Sequence, residues 1–287
     1  MPVDLKTLYP KLINLMLDTV FVVDEDNQIV FVSDACETLL GYRADQLIGT
    51  QITDYMHPDD LAITKASINR VMSGQAHGDF RNRYIHKNGA IVHILWSARW
   101  SEEDRVRIGV ARDVTALRET EDKLHFLAHH DPLTGLTNRS LFNDRLDSAL
   151  GAARRHQSRV ALLFLDLNEF KPINDTHGHA VGDRLLCTIA RRLESCVRET
   201  DTVARMGGDE FTVLLTDIQS AEAVAAKVEQ ITAVMAEPLS PEFDGITTPS
   251  FSIGVARYPE DGEDAETLMR HADVDMYRLK RRRSEAE

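Results

Sequence analysis

Met206-Gly207-Gly208-Asp209-Glu210-Phe211 sets two glycines directly before two carboxylates and an aromatic ring. Glycines let the backbone turn with positive φ and let a bulky group come close. The adjacent carboxylates of Asp209 and Glu210 are hard-oxygen donors of the kind that bind Mg2+, or Mn2+ in its place. A turn that admits a phosphate beside a metal-binding acid is what nucleotide chemistry needs. Those four residues alone read equally well as a solvated hairpin turn, so their neighbours decide. A further acid, Asp166, ends the apolar run Ala161-Leu162-Leu163-Phe164-Leu165, at the carboxyl end of a buried strand where ligands gather. Beyond it lie Leu167-Asn168-Glu169-Phe170-Lys171, Ile173-Asn174-Asp175, His177-Gly178-His179 and Gly182-Asp183. This stretch reads as a loop whose N–H groups face phosphates and whose Asn174 and Asp183 suit a base edge. Asp166 and the hairpin acids converge on one metal only if their strands are neighbours.

Those residues need elements to hold them. Val203 upstream and Val213-Leu214-Leu215 downstream make the two-glycine stretch a β-hairpin. Helical periods cover Ser140–Arg155, Gly182–Cys196, Ala221–Met235 and Ala265–Arg283, and a further strand covers Pro249–Ala256. Helices alternating with strands on a central sheet define an α/β or α+β domain from Asp131 onward. The earlier part differs. Strand-like runs at Val20–Val23 and Ile29–Val32 flank the turn Asp24-Glu25-Asp26-Asn27. Short polar and helical pieces follow, then runs at Phe80–His86, Ala90–Ala98 and Arg107–Asp113, with Lys87-Asn88-Gly89 as a turn. Between the halves, Leu117, Leu124 and Ala128 fall near a heptad seam.

Residues 11–116 resemble a PAS domain: Val22-Val23-Asp24, Leu40-Gly41-Tyr42, His57-Pro58-Asp59-Asp60, Lys87-Asn88-Gly89 and Asp113-Val114-Thr115 occur in order. The resemblance implies an antiparallel sheet with short helices and a sensory or regulatory role, with an unknown ligand. Residues 131–287 resemble the GGDEF family of diguanylate cyclases. The match begins at Asp131-Pro132-Leu133-Thr134-Gly135-Leu136-Thr137-Asn138-Arg139 and runs through Asp166–Asp175, Gly207–Phe211 and Ser252-Ile253-Gly254-Val255-Ala256 to Ala272-Asp273 and Tyr277. Residues 1–10 form an N-terminal segment and 117–130 a helical signalling linker. The resemblance implies a nucleotidyl-cyclase-like sheet flanked by helices.

It also implies an activity: two GTP condense to cyclic di-GMP with release of pyrophosphate. Asp166, Asp209, Glu210 and the Leu167 carbonyl would hold Mg2+, and Asp209 and Glu210 would be the catalytic acids, the base between them open. Asn174 and Asp183 would bind guanine. Phe170, Lys171, Gly207, Gly208 and Lys280 would hold the rest of the nucleotide. Arg198 and Asp201 fall where the family binds its product as inhibitor; the same pair reads otherwise as a surface ion pair at a helix end. Each domain takes one GTP, so catalysis requires a homodimer. Three positions depart from the family pattern: Asn168 replaces a common Asp, Asp275 replaces a small apolar residue, and Lys280-Arg281-Arg282-Arg283 lacks a Gly-Arg pair. One of the three arginines would replace the missing one.

Composition bounds the alternatives. The chain has 287 residues, about two domains, and a net charge of −13, which argues against general binding to DNA, RNA or anionic membranes. No apolar run approaches a membrane span and no signal-peptide pattern opens the chain. Cys36, Cys187 and Cys196 have neither metal nor disulfide spacing, so a reducing cytoplasm is the default. His57, His77, His86 and His93 offer candidate haem ligands, although a lone His is more often a surface residue. Trp96 and Trp100 read as packing residues, and Cys36 lacks the surroundings of a flavin-adduct cysteine. The rival to a cyclase is a catalytically silent receptor for GTP or cyclic di-GMP; the presence of Asp166, Gly207, Gly208, Asp209 and Glu210 together favours catalysis.

Overall fold

The computed structural model describes residues 5–75, 77–240, 243, 246 and 248–285. The chain divides into two compact units, Met1–Asp122 and Lys123–Glu287. The first four residues of the N-terminal segment lie outside the described residues, and Leu5–Leu15 forms helix α1. Among the described residues, no helix is long and apolar enough to cross a membrane.

In the first unit, β1 (Thr19–Asp24), β2 (Ile29–Val32), β3 (His77–Ile85), β4 (Ile91–Ser101) and β5 (Val106–Asp113) form a sheet ordered β2-β1-β5-β4-β3. Each neighbouring pair is antiparallel. Helices α2 (Cys36–Leu40), α3 (Ala44–Leu47) and α4 (Leu61–Met72) fill the long connection from β2 to β3. Phe21, Leu40, Leu47, Tyr84, Ile94 and Trp96 are buried in its core. The turns fall where the polar clusters put them: Asn27 and Gly89 both take positive φ. Helix α5 (Thr115–His129) has no buried residue, so the apolar Leu117 and Leu124 face solvent.

In the second unit, β6 (Arg159–Leu167), β7 (Thr202–Gly207), β8 (Glu210–Ile218) and β9 (Phe251–Tyr258) form a sheet ordered β7-β8-β6-β9. All its pairings are antiparallel. The β6 side chains alternate between two cores, as the pleat requires. Leu163, Leu165 and Leu167 pack with Leu185, Ile189 and Leu193 of α8 (His179–Ser195) and with Val224 and Ile231 of α9 (Ala221–Met235). Val160, Leu162 and Phe164 pack with Phe142 and Leu146 of α6 (Arg139–His156) and with Leu268, Ala272 and Met276 of α10 (Ala265–Ser284). The result is helix, sheet, helix. Each fully buried leucine or phenylalanine of that central strand contributes about 1.5–3 kcal/mol.

The long polar stretch after β6 is not a loop. Phe170–His177 forms helix α7, and α8 begins at His179. Phe170 and Ile173 turn toward the core below, and Pro172 falls within the first turn, where a missing N–H breaks no helical hydrogen bond. Gly254 is where α10 meets the sheet: a Cβ there would lie 2.0 Å from the Ala272 carbonyl oxygen and 2.3 Å from the Met276 nitrogen. Asp275 has a job on the same contact. β9 is an edge strand, and Asp275 Oδ2 accepts a hydrogen bond from the Val255 N–H at 3.2 Å.

Candidate active site

Because β6 and β8 run antiparallel, the end of one adjoins the start of the other, and Asp166 pairs in register with Glu210. Asp166 belongs to the same pleat face as Leu162 and Phe164, toward α10. There Leu268, Ala272, Met276 and Lys280 recur at four-residue spacing along one stripe of the helix. The first three are core residues, and Lys280 Nζ forms an ion pair with Asp166.

The hairpin turn is Gly208-Asp209, flanked by the register pair Gly207 and Glu210. Gly207 has φ +142 and Gly208 φ +54, conformations that side chains rarely adopt. Nothing lies within 4 Å of a Cβ built on either, so backbone conformation, not lack of room, selects glycine. The Asp209 carbonyl accepts from the Leu167 N–H at 3.3 Å, tying the turn to the end of β6.

Asp209 and Glu210 are half-buried, not the fully exposed tip that a hairpin turn suggests. Burial, and then the like charge of Asp166, push the Asp209 carboxyl above its ordinary range. Burial raises Glu210 too, against the opposing charge of Arg139, whose Nη2 stands 4.0 Å from Glu210 Oε2. Among the described residues, no three His, Cys, Asp or Glu side chains form a ready-made metal cage. The donor set still fits a divalent cation: hard carboxylate oxygens that repel one another, with Lys280 already drawn to Asp166 as a positive charge.

Around α7 the remaining nucleotide candidates gather. Asn174 Oδ1 is buried and has no hydrogen-bond partner among the described residues. It lies over Gly182, where a Cβ would come within 1.9 Å of that oxygen and 3.1 Å of Phe170 Cζ. Asp183 follows at once and is exposed, as is Lys171. Glu169 precedes the helix in the left-handed region at φ 60, an unusual conformation for a side-chain-bearing residue. Asn168 is buried, donating to Ser250 Oγ at 3.0 Å and accepting from Ser252 Oγ at 2.9 Å. Of the three tail arginines, Arg283 lines a hollow with Asn168, Glu169 and His177, whereas Arg281 pairs with Glu285 at 3.7 Å.

Among the described residues, the Arg198 and Asp201 side chains form no ion pair with each other. Asp201 Oδ2 accepts from the Arg198 N–H at 3.0 Å and Oδ1 from the Thr216 N–H at 3.1 Å. The Arg198 residue is exposed, and both line a groove of about 330 Å³ with Arg145 and His130.

Two residues that hold the site were not picked out as site residues from the sequence. Arg205 Nη1 contacts Asp131 Oδ1 and Oδ2 at 3.0 and 3.1 Å, while its Nε and Nη2 donate to the Gly208 carbonyl at 3.0 and 2.7 Å. The only local signal is Asp131 with Thr134, a spacing that makes a side-chain-capped turn; Oδ1 accepts from both the Thr134 N–H and hydroxyl.

A family model described as "Diguanylate cyclase, GGDEF domain" matches residues 128–286, and one described as "PAS fold" matches residues 29–110. The chain belongs to the GGDEF family, with an N-terminal PAS domain. It is 42% identical over 165 residues to the diguanylate cyclase TpbB of Pseudomonas aeruginosa, an alignment covering 58% of this chain and 38% of that protein. It is 30% identical over 277 residues to the cyclic di-GMP phosphodiesterase PdeR of Escherichia coli, covering 91% of this chain and 40% of the relative. The chain thus spans about two fifths of the length of these curated relatives. A solved structure of the GGDEF domain of TpbB superposes with a TM-score of 0.52 at 43% identity, covering 54% of this chain and 90% of that one. The coiled coil and GGDEF domain of DgcB from Caulobacter crescentus, solved in complex with c-di-GMP, gives 0.52 at 29% identity, covering 58% and 88%.

Proposed function

We propose that this protein is an active diguanylate cyclase, condensing two GTP into cyclic di-GMP with release of pyrophosphate. The observation that carries the reading is the register pairing of Asp166 with Glu210 beside a two-glycine turn that ends in Asp209. Relatives named diguanylate cyclase support it.

Asp166, Asp209, Glu210 and the Leu167 carbonyl would hold Mg2+ or Mn2+, which when bound neutralises the charge of the triphosphate. Asn174 Oδ1, an unused acceptor, and the Asp183 carboxylate receive the N–H donors of guanine. The first amides of α7, at Phe170 and Lys171, have no partners inside the helix and face the phosphates. Lys280 and Arg283 supply positive charge to the terminal phosphates. Gly207 and Gly208 let the α-phosphate lie against the hairpin. The 3′-oxygen of one GTP attacks the α-phosphorus of the other, with Asp209 and Glu210 as the acids beside the reacting groups and pyrophosphate as leaving group.

Each domain holds one nucleotide, so two chains meet as a homodimer, and orienting the two substrates is most of the catalysis. The PAS unit and α5, with its exposed Leu117 and Leu124, set that geometry. Arg198 and Asp201 bind product as an inhibitor. The three cysteines are free, in keeping with a cytoplasmic protein.

The test is incubation of purified protein with GTP and Mg2+, with products identified by liquid chromatography and mass spectrometry. Cyclic di-GMP that disappears in Glu210→Ala supports the cyclase. No product from nucleotide-stripped protein, together with tight cyclic di-GMP binding, favours the silent receptor.

A further inference from the structure

The first unit contains a cavity of about 50 Å³, lined in part by Val71, Asn82, Tyr84, Trp96, Ala98 and Arg107. Its origin is legible in the strand ladder. Along the inner face of β4 and β5, the pair Ala98–Gly109 sits between Trp96–Ala111 and Trp100–Arg107. The small pair leaves space between large neighbours. Gly109 also lets the Trp96 ring lie close, since a Cβ there would be 3.2 Å from the indole Cε3.

The polar groups of this wall form one satisfied chain and one exception. Thr64 Oγ1 donates to the Asp60 carbonyl at 2.7 Å and accepts from Asn82 Nδ2 at 3.0 Å. Asn82 Oδ1 accepts from Trp96 Nε1 at 2.8 Å. Arg107 is the exception. It is 7% exposed, its Nη2 donates to Asn27 Oδ1 at 3.1 Å, and its Nη1 is buried with no partner among the described residues. A buried guanidinium with an unpaired nitrogen is costly.

The nearby carboxylates make their hydrogen bonds to other groups, although the charge of Asp24 still bears on Arg107. Asp60 receives Arg83 through Nε and Nη2 at 3.0 and 2.6 Å, and the Arg83 N–H at 2.7 Å. Asp24 Oδ1 caps its own turn, accepting the Asp26 and Gln28 N–H groups at 3.0 and 2.8 Å. Among the described residues the Arg107 guanidinium is therefore walled largely by aromatic and aliphatic side chains, with Asp24 acting on it through its charge and Nη1 left unpaired.

We propose that this cavity binds a small organic monocarboxylate, its charged group on the Arg107 guanidinium and its short apolar chain against Trp96, Tyr84 and Val71. The volume limits the ligand. An apolar cavity that takes benzene measures roughly 150 Å³, so at about 50 Å³ this one suits a short-chain acid. Burial also pulls the Arg107 guanidinium below its ordinary basicity, and an anion beside it reverses that.

The chain has two tryptophans, both on β4, so tryptophan emission reports on this unit alone. The experiment titrates the full-length protein with straight-chain acids from acetate to hexanoate, and with the matching primary amides, following emission and calorimetric heat. At least one acid should saturate, its amide binding about tenfold or more weakly, as loss of a buried charge-assisted hydrogen bond implies. Arg107→Gln should lose the acid by a similar factor. Ala98→Leu, which fills the cavity and leaves Arg107 in place, should lose it as well. The proposal is overturned if no acid binds, if amides bind as tightly as acids, if chloride or inorganic phosphate competes equally, or if both variants keep the parent affinity.

Discussion

Arg205 and Asp131 are joined by two contacts of 3.0 and 3.1 Å across 74 residues of sequence, and the same guanidinium holds the Gly208 carbonyl at 2.7 Å. One side chain thereby fixes the start of the domain to the turn that carries Asp209. Both side chains are mostly buried, at 12% and 18% exposure, so solvent screens the pair only in part.

Removing either partner should therefore destabilise the second unit, by roughly 1–3 kcal/mol. Arg205→Ala should slow synthesis more than Asp131→Ala, because only the arginine touches Gly208. A double-mutant cycle on denaturant unfolding would measure the coupling. Strict additivity of the two losses would count against a clamp.

Asp209 presents the opposite balance. Its folded carboxyl is raised by burial and by Asp166, so the folded state keeps a proton that the unfolded chain gives up at about pH 3.9. Stability falls as pH rises through the window between those two values and stays low above it. Asp209→Asn should thus raise the melting temperature of metal-free protein at neutral pH while cutting synthesis by about 100-fold or more. A variant that melts lower than the parent would show that Asp209 is held by a contact, not strained by its neighbours.

Gly182→Ala sets two effects against each other. Alanine favours a helix by about 1 kcal/mol over glycine. Here its Cβ would sit 1.9 Å from Asn174 Oδ1, so Asn174 must move from its place on α7. The expected outcome is a KM for GTP raised about tenfold, the scale of one lost hydrogen bond, with little change in kcat. An unchanged KM would remove Asn174 from guanine recognition.

Arg198 and Asp201 should separate on substitution. Arg198→Ala changes an exposed side chain and should relieve product inhibition without altering the melting temperature. Asp201→Ala removes the acceptor for two backbone N–H groups and should cost about 1–2 kcal/mol as well. An unchanged inhibition curve for Arg198→Ala would rule out the inhibitory site.

Both units carry an acid held below its ordinary value. Asp60 is lowered chiefly by its hydrogen bonds with Arg83, against the cost of burial. At Asp131, burial pushes upward but the Thr134 hydroxyl and amide and the Arg205 guanidinium outweigh it. A depressed folded pKa contributes stability that is fully present above the unfolded value, about 3.9, and is lost as pH falls through the folded one. Unfolding followed by circular dichroism from pH 6 down to 2 should show loss of stability beginning near pH 4. Asp60→Asn and Asp131→Asn should flatten that loss.

Much of this was legible from residues alone, and the exceptions have physical reasons. Asp166 stood out because a short unbroken apolar run between polar stretches reads as a buried strand, and ligands gather at the carboxyl end of such a strand. The hairpin was readable because its two glycines precede two acids. Helix α7 was hidden because Asn, Pro and Gly around it are loop formers; only Phe170 and Ile173, three residues apart on the core side, give it away. The Arg205–Asp131 clamp is long-range, and each partner alone is an ordinary charge. Asp275 looked out of place until β9 proved to be an edge strand with a backbone N–H to satisfy. Arg107 lay unremarked in a strand because burial of a charge leaves no trace in composition.

The stripe Leu268, Ala272, Met276, Lys280 makes α10 a matter of counting. Three positions seat the helix in the core, and the fourth delivers an ammonium group to Asp166. One residue added between Met276 and Lys280 would rotate that amine by about 100° around the helix axis. Substitutions on the outer face of α10 leave the geometry untouched; insertions and deletions do not. The outer face of this helix tolerates substitution, but its length is locked between the contact of Gly254 with Ala272 and Met276 and the Lys280 amine on Asp166.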